Sequence, residues 1–416
     1  MEVRPLFSVD SPKRPLAGLR VLECASFVAG PSGCMALGQL GADVIRVDPL
    51  GGAADYRRLP VSTRTGESLY WTALNKGKRS VAVDLRAPEG RELVAALATA
   101  PGSDGGIVVD NNAGRSWLAY ESLAERRPDV IQVRIQGHAD GRPAVDYTVN
   151  PEVGVPGITG PTDVAEPVNH VLPAWDLLTG MTAMTGLLAA LHRRDRHGEG
   201  ALLQIALADV ALTSVANLGW LAEADERGAD RPRHGNHVYG TFGVDFATSD
   251  GHRVMVVALT SRQWDALRAA TNTEKVFAAL EDALGVDFSL ESDRYRLREM
   301  IAAVLRPWFV ARTLEEVGHQ LAAAPVLWSR YRSLHEAVTE FRALGSPPVL
   351  VEVEQPGIGA MISARSPLRI AAEYGASAVA PRLGQHTDEV LAQVLGLSDA
   401  ELGRLHDRGV VVSGSA

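Results

Sequence analysis

Short apolar runs alternate with helical patterns from Leu19 through Ile135, and this alternation constrains the fold more than any other feature. Leu19 to Glu23 is a mostly apolar run, followed by the loop Ala29-Gly30-Pro31. A helical pattern then runs from Pro31 to Leu40, and Gly41 stops it. Val44–Val47, Ser80–Leu85, Gly106–Val109 and Val130–Ile135 read as further strands. Pro88–Ala98 reads as a helix with proline in its first turn. Strands and helices in alternation with short links predict a mostly parallel α/β sheet covered on both faces.

At 416 residues the chain is too long for one core of ordinary size, so two domains are expected. The character changes after Asp225–Asn236, a polar stretch rich in Arg, Asp and Gly. Gly240–Thr248, the turn Asp250-Gly251 and Arg253–Ala258 predict a hairpin, with helices near Ser261–Thr271 and Arg296–Phe309. The expected division is a large domain over 1–224, a linker over 225–237, a smaller α+β domain over 238–337 and a C-terminal segment over 338–416. That last segment ends in a helical pair, Thr387–Leu395 and Asp399–Asp407.

A net charge of −9 argues against a nucleic-acid surface. Local basic clusters, Arg57-Arg58 and Lys76-Gly77-Lys78-Arg79, suit a solvated face or a phosphate-rich small molecule. No unbroken apolar run predicts a membrane span, and Met1–Leu16 lacks the apolar core of a secretory signal. The cysteines Cys24 and Cys34 make no disulfide framework, which fits a reducing, cytoplasmic setting. His234-Gly235-Asn236-His237 lies in the polar linker rather than on a helix face, so no metal site is expected.

Asp176–His192 reads as a helix with almost no charge before Arg193, apolar all round and therefore buried. Gly180, Ala183 and Gly186 would let a neighbour approach it closely. Asp176 stands at its start. Aspartate is favoured there as a cap for the first backbone amides. The helix dipole also favours its ionised form, and an ionised, positioned carboxylate can attack an activated carbonyl.

Several stretches in order then point to one family. They are Leu16-Ala17-Gly18-Leu19-Arg20-Val21-Leu22-Glu23, Ala29-Gly30-Pro31, Gly41-Ala42-Asp43-Val44-Ile45-Arg46-Val47-Asp48-Pro49 and Asn75-Lys76-Gly77-Lys78-Arg79-Ser80-Val81. Asp176 with Gly180, Gly186–Leu191, and Pro381–Leu391 complete the set. The chain resembles the family III coenzyme A transferases. The resemblance implies a Rossmann-like large domain with a parallel sheet, a smaller α+β domain and an interlocked homodimer. It implies no prosthetic group, with coenzyme A entering as part of an acyl-CoA thioester substrate. Asp176 matches the family's nucleophile, which forms an acyl–aspartyl anhydride and then an aspartyl–CoA thioester.

The resemblance makes Ala29, Arg46, Lys78 and Arg79 candidates for CoA contacts. Many members carry an arginine in a motif after the fourth strand; here Asn111-Asn112-Ala113-Gly114-Arg115 displaces it. Racemases of the family place a histidine where this chain has Val145, which carries no proton and argues against that branch. The stretches Val145–Pro151, Val168–Asp176 and Glu354–Gly359 resemble members that move CoA between the two carboxylates of one branched unsaturated diacid, mesaconate. An intermolecular transfer to a free dicarboxylic acid is the alternative. A diacid needs a partner for its second carboxylate, and His170 and Tyr147 are the candidates.

Overall fold

The structure, a computed structural model, describes residues 14–111 and 116–414. Arg115, with the rest of 112–115, and the segment before Arg14 lie outside the described residues. The chain divides into two compact units. The first comprises the described parts of 1–153, 170–222 and 346–416; the second comprises 154–169 and 223–345. Residues 154–169, within the large domain expected from the sequence, belong to the second unit.

The first unit is built on β1 (Arg20–Cys24), α1 (Ala29–Gln39), β2 (Asp43–Pro49), α2 (Leu69–Leu74), β3 (Arg79–Val83), α3 (Pro88–Thr99), β4 (Ile107–Asp110), α4 (Tyr120–Arg126) and β5 (Ile131–Gln136). Next come α5 (Asp146–Glu152), α6 (Val155–Ile158, in the second unit), α7 (Ala174–His197), β6 (Ala201–Ala206) and α8 (Leu207–Asn217). The seven-stranded sheet runs in the order C-terminal strand Val411–Val412, β3, β2, β1, β4, β5, β6. All its pairings are parallel except that of the C-terminal strand with β3.

Successive strand residues point to opposite faces and build two cores. On one face Leu22, Ile45, Val81 and Val108 pack beneath α3 and the terminal helices. On the other, Val21, Val44, Val109 and Val133 meet α1 and α7 through Cys34, Leu37, Ala183, Met184 and Leu187. Strand order reverses between β1 and β4, so their carboxyl ends diverge and open a crevice.

Helix α7 differs from its expectation in two respects. Only one stripe is buried, including Trp175, Thr179, Gly180, Ala183 and Leu187, while Leu178, Met181 and Leu188 are exposed. By length and composition it also meets the requirement for a membrane span, although no unbroken apolar run marks it. Its buried stripe packs on α1, β5 and β6.

The second unit holds a three-stranded antiparallel sheet, β7 (Phe242–Ala247), β8 (Arg253–Ala258) and β9 (Leu327–Arg330). Trp264, Phe277, Phe288 and Phe309 fill its core. The hairpin register pairs Phe242 with Ala258 around the Asp250-Gly251 turn, as its turn chemistry predicts.

Candidate active site

A pocket of ≈ 460 Å³ lies at the carboxyl ends of β1, β4 and β5. The loop Ser26–Ala29, Asn111, Ile135–Gly137, Ala144–Tyr147, Pro173, Asp176 and Leu207 line it, joined by Arg58 and Tyr70. Two devices hold the loop after β1. Asn111 accepts from Ser26 N at 3.2 Å and donates to Ser26 O at 2.9 Å. Asp55 accepts from Phe27 N at 2.8 Å, and Phe27 takes φ 70°, an uncommon conformation for a residue with a side chain.

Asp176 reaches the pocket because α1 and α7 nearly touch. A Cβ on Gly180 would lie 2.5 Å from Ala29 O and 2.7 Å from Ser32 Oγ. One on Gly33 would lie 2.8 Å from Gly180 O. Glycine at both positions permits the approach.

Asp176 is the third residue of α7, after Pro173 in the capping position, so it is not the cap. Asp146 performs that task from another helix. Its Oδ2 accepts from Trp175 N at 2.7 Å and from Asp176 N at 3.1 Å. Its Oδ1 meets His170 Nε2 at 2.8 Å. Trp175 Nε1 donates to Asn150 Oδ1 at 3.0 Å and adds a second tie between α5 and α7. The Asp176 carboxylate is thereby left to face the pocket. Burial, and then the charge of Asp146, push its pKa up from 3.8 to about 7, against the opposing pull of Arg58. The helix dipole, expected to keep this group ionised, is outweighed.

Ala29 and Tyr147 line the pocket. Tyr147 donates to Val171 O at 3.2 Å. His170 does not line it; it is held against Asp146. The cationic candidates need correction. Arg46 is fully buried, and all five of its N–H donors are engaged. Nε meets Asp48 at 2.9 Å, Nη1 meets Asn75 at 3.1 Å and Glu23 at 3.3 Å, and Nη2 meets Asp48 and Asp55 at 3.0 Å. Lys78 is buried too, with Nζ 2.6 Å from Glu23, 2.8 Å from Asn75 and 3.0 Å from Pro31 O. Burial pushes its pKa down against the pull of Glu23. Arg79 pairs with Asp43 and with Glu389 and Gln393 on the C-terminal helix Thr387–Leu395. Arg46 and Lys78, with every donor spent inside the fold, have none for a ligand. Arg46 acts on the pocket through Asp55, which fixes Phe27.

Sequence reasoning missed Asp146 and Arg58 as pocket residues. Asp146 lies within Val145–Pro151, but nothing local links it to a helix start thirty residues on. Among the described residues no group of metal-binding side chains is assembled.

The sequence model of CoA-transferase family III matches residues 16–387. The chain belongs to CoA-transferase family III. It is 50% identical over 398 residues to a 2-methylfumaryl-CoA isomerase of Chloroflexus aurantiacus, a match covering 95% of this chain and 97% of the relative. It is 30% identical over 400 residues to a succinyl-CoA:mesaconate CoA-transferase of Haloarcula marismortui, covering 90% and 95%. Among solved structures, a CAIB/BAIF family protein of Brucella suis superposes with TM-score 0.74 at 25% identity, covering 92% of this chain and all of that one. As a family III CoA-transferase the chain is an enzyme acting on CoA thioesters, and the α/β fold expected from the alternation in its first half is the fold of that structural neighbour.

Proposed function

We propose that this enzyme moves coenzyme A between the C1 and C4 carboxylates of mesaconate, converting 2-methylfumaryl-CoA to 3-methylfumaryl-CoA, with Asp176 as nucleophile. One observation carries the chemistry. Asp176 presents its carboxylate to a pocket at the switch point of the sheet, because Asp146 has taken over the capping of α7. The acyl group rests on the 50% identity to a 2-methylfumaryl-CoA isomerase.

The ionised Asp176 attacks the thioester carbonyl, the C–S bond breaks and CoA thiolate leaves, giving a mixed anhydride. The thiolate then attacks the Asp176 carbonyl of that anhydride, releasing mesaconate and leaving an aspartyl–CoA thioester. The other mesaconate carboxylate attacks this thioester, expelling thiolate again. Thiolate attack on the mesaconyl carbonyl then regenerates Asp176. No net proton is consumed, and each step is an acyl transfer of modest difficulty. The first turn of α1 opens beside Ala29, where unpaired amides can stabilise the developing oxyanion. The enzyme is placed in a reducing compartment such as the cytoplasm, a reading supported by two buried free thiols, Cys24 and Cys34.

The test is purified enzyme with mesaconyl-C1-CoA and no other acid, followed by chromatography. The C4 isomer is expected with the native enzyme and not with Asp176→Ala; equal activity in the variant would remove Asp176 from the mechanism. Intermolecular transfer is the second reading, favoured by the succinyl-CoA:mesaconate CoA-transferase relative. Labelled free mesaconate entering the product would establish it instead.

A further inference from the structure

The pocket holds two carboxylates, Asp146 and Asp176, and among the described residues one cation, Arg58. Its walls are otherwise largely apolar, with Val28, Ile135, Pro173 and Leu207. If the enzyme acts on mesaconyl thioesters, its substrate brings a further free carboxylate. Two are present whenever mesaconate is released between half-reactions. A negative group entering beside Asp176 is repelled unless a positive group meets it.

Arg58 is built for that task. Its main chain is pinned: Arg58 N donates to Asp55 O at 3.1 Å, and Arg58 O accepts from Ser68 Oγ at 2.6 Å. Its guanidinium lies 5.5 Å from the ring centres of both Phe27 and Tyr70. Aromatic faces hold a guanidinium through its charge and leave the N–H donors at its edge available. Asp55, the acid nearest in the chain, is occupied by Arg46 and by Phe27 N. Arg58 therefore presents a planar donor fork to the pocket that matches a carboxylate in bidentate fashion.

We propose that Arg58 is the specificity-determining residue for the diacid, holding whichever carboxylate is free while the other reacts at Asp176. The long side chain lets one guanidinium serve both isomers, and it keeps mesaconate in the pocket between the two half-reactions. This rests on the mesaconyl reading above and adds the residue that selects a diacid over a monoacid.

The test compares mesaconyl-C1-CoA with tiglyl-CoA, which replaces the free carboxylate by a methyl group. Exchange of labelled coenzyme A into each thioester reads the attack of Asp176 alone, since one C–S bond breaks and an equivalent one forms. The expected result is a strong preference of the native enzyme for the mesaconyl thioester. Arg58→Gln should reduce the ratio of the two kcat/KM values about 100-fold, and Arg58→Lys should restore part of it, since it keeps the charge and loses the fork. A ratio unchanged in Arg58→Gln overturns the proposal, whether both substrates slow together or neither does. Native enzyme that forms no C4 isomer removes the mesaconyl reading itself and this proposal with it, a result visible before any variant is made.

Discussion

Between pH 3.8 and about 7 the folded chain keeps a proton on Asp176 that the unfolded chain releases. The folded state binds more protons in that window, so this group's contribution to stability falls as pH rises through it. Above pH 7 the ionised carboxylate costs at most about 4 kcal/mol, and less because the group is only half-buried. Asp176→Asn has no such group. Its thermal midpoint should exceed the native one at pH 8, with the gap closing toward pH 4; a gap independent of pH would refute the burial account. Asp146 makes a second prediction. Asparagine in its place removes the like charge beside Asp176, so the nucleophile's pKa falls. The acid limb of kcat/KM, expected near pH 7 in the native enzyme, should move to lower pH in Asp146→Asn. An unmoved limb would mean that Asp146 does not act on Asp176 electrostatically. Neither effect was legible in the sequence. Asp176 was visible because a helix pattern starts there, but what controls its charge comes from residues that only the fold brings close.

At the scale of elements, the contact of α1 with α7 decides where the nucleophile lies. The spacing of Gly180 and Ala183 marked α7 as a helix that accepts a close neighbour, although the sequence did not say which one. That neighbour is α1, whose own Gly33 is needed for the fit. Gly180→Val would drive its side chain into Ala29 O and Ser32 Oγ. Overpacking of this kind costs about 1–3 kcal/mol. It should also lower kcat more than it raises KM, because it moves Asp176 relative to the start of α1. Loss of stability with unchanged kcat would separate the packing from the site. Elements with clear punctuation were legible within a residue or two: Thr387–Leu395 and Asp399–Asp407 occupy their predicted bounds. The strand Ala201–Ala206 was not. Six mostly apolar residues between two helices carry no period that distinguishes strand from helix, and pairing with β5 decides the matter. The helical stretch after this strand is two helices, Leu207–Asn217 and Trp220–Arg227, broken at Gly219 with φ 76°.

For the molecule as a whole, the exposed face of α7 is the feature the sequence reading described wrongly, and it bears on assembly. Apolar residues all round a helix predict burial all round, yet Leu178, Met181 and Leu188 stand exposed, with Leu212 and Leu218 on and just after α8. Leu178, Met181 and Leu188 fall on one face of α7, and exposed apolar side chains gathered in this way are of the kind that marks an interaction face. The homodimer expected from the family resemblance would place a second copy of the chain there. The face lies on the helix that carries Asp176, so a partner there would stiffen the element that positions the nucleophile. Light scattering coupled to gel filtration should then give twice the 44.4 kDa of one chain. Met181→Glu places a charge at an already exposed position, which costs an isolated chain little but puts an unpaired charge into an interface. That variant should elute as a monomer with its secondary structure intact. A native protein that runs at the mass of a single chain at micromolar concentration, or a Met181→Glu variant that stays dimeric, would show that this face is not where two copies meet.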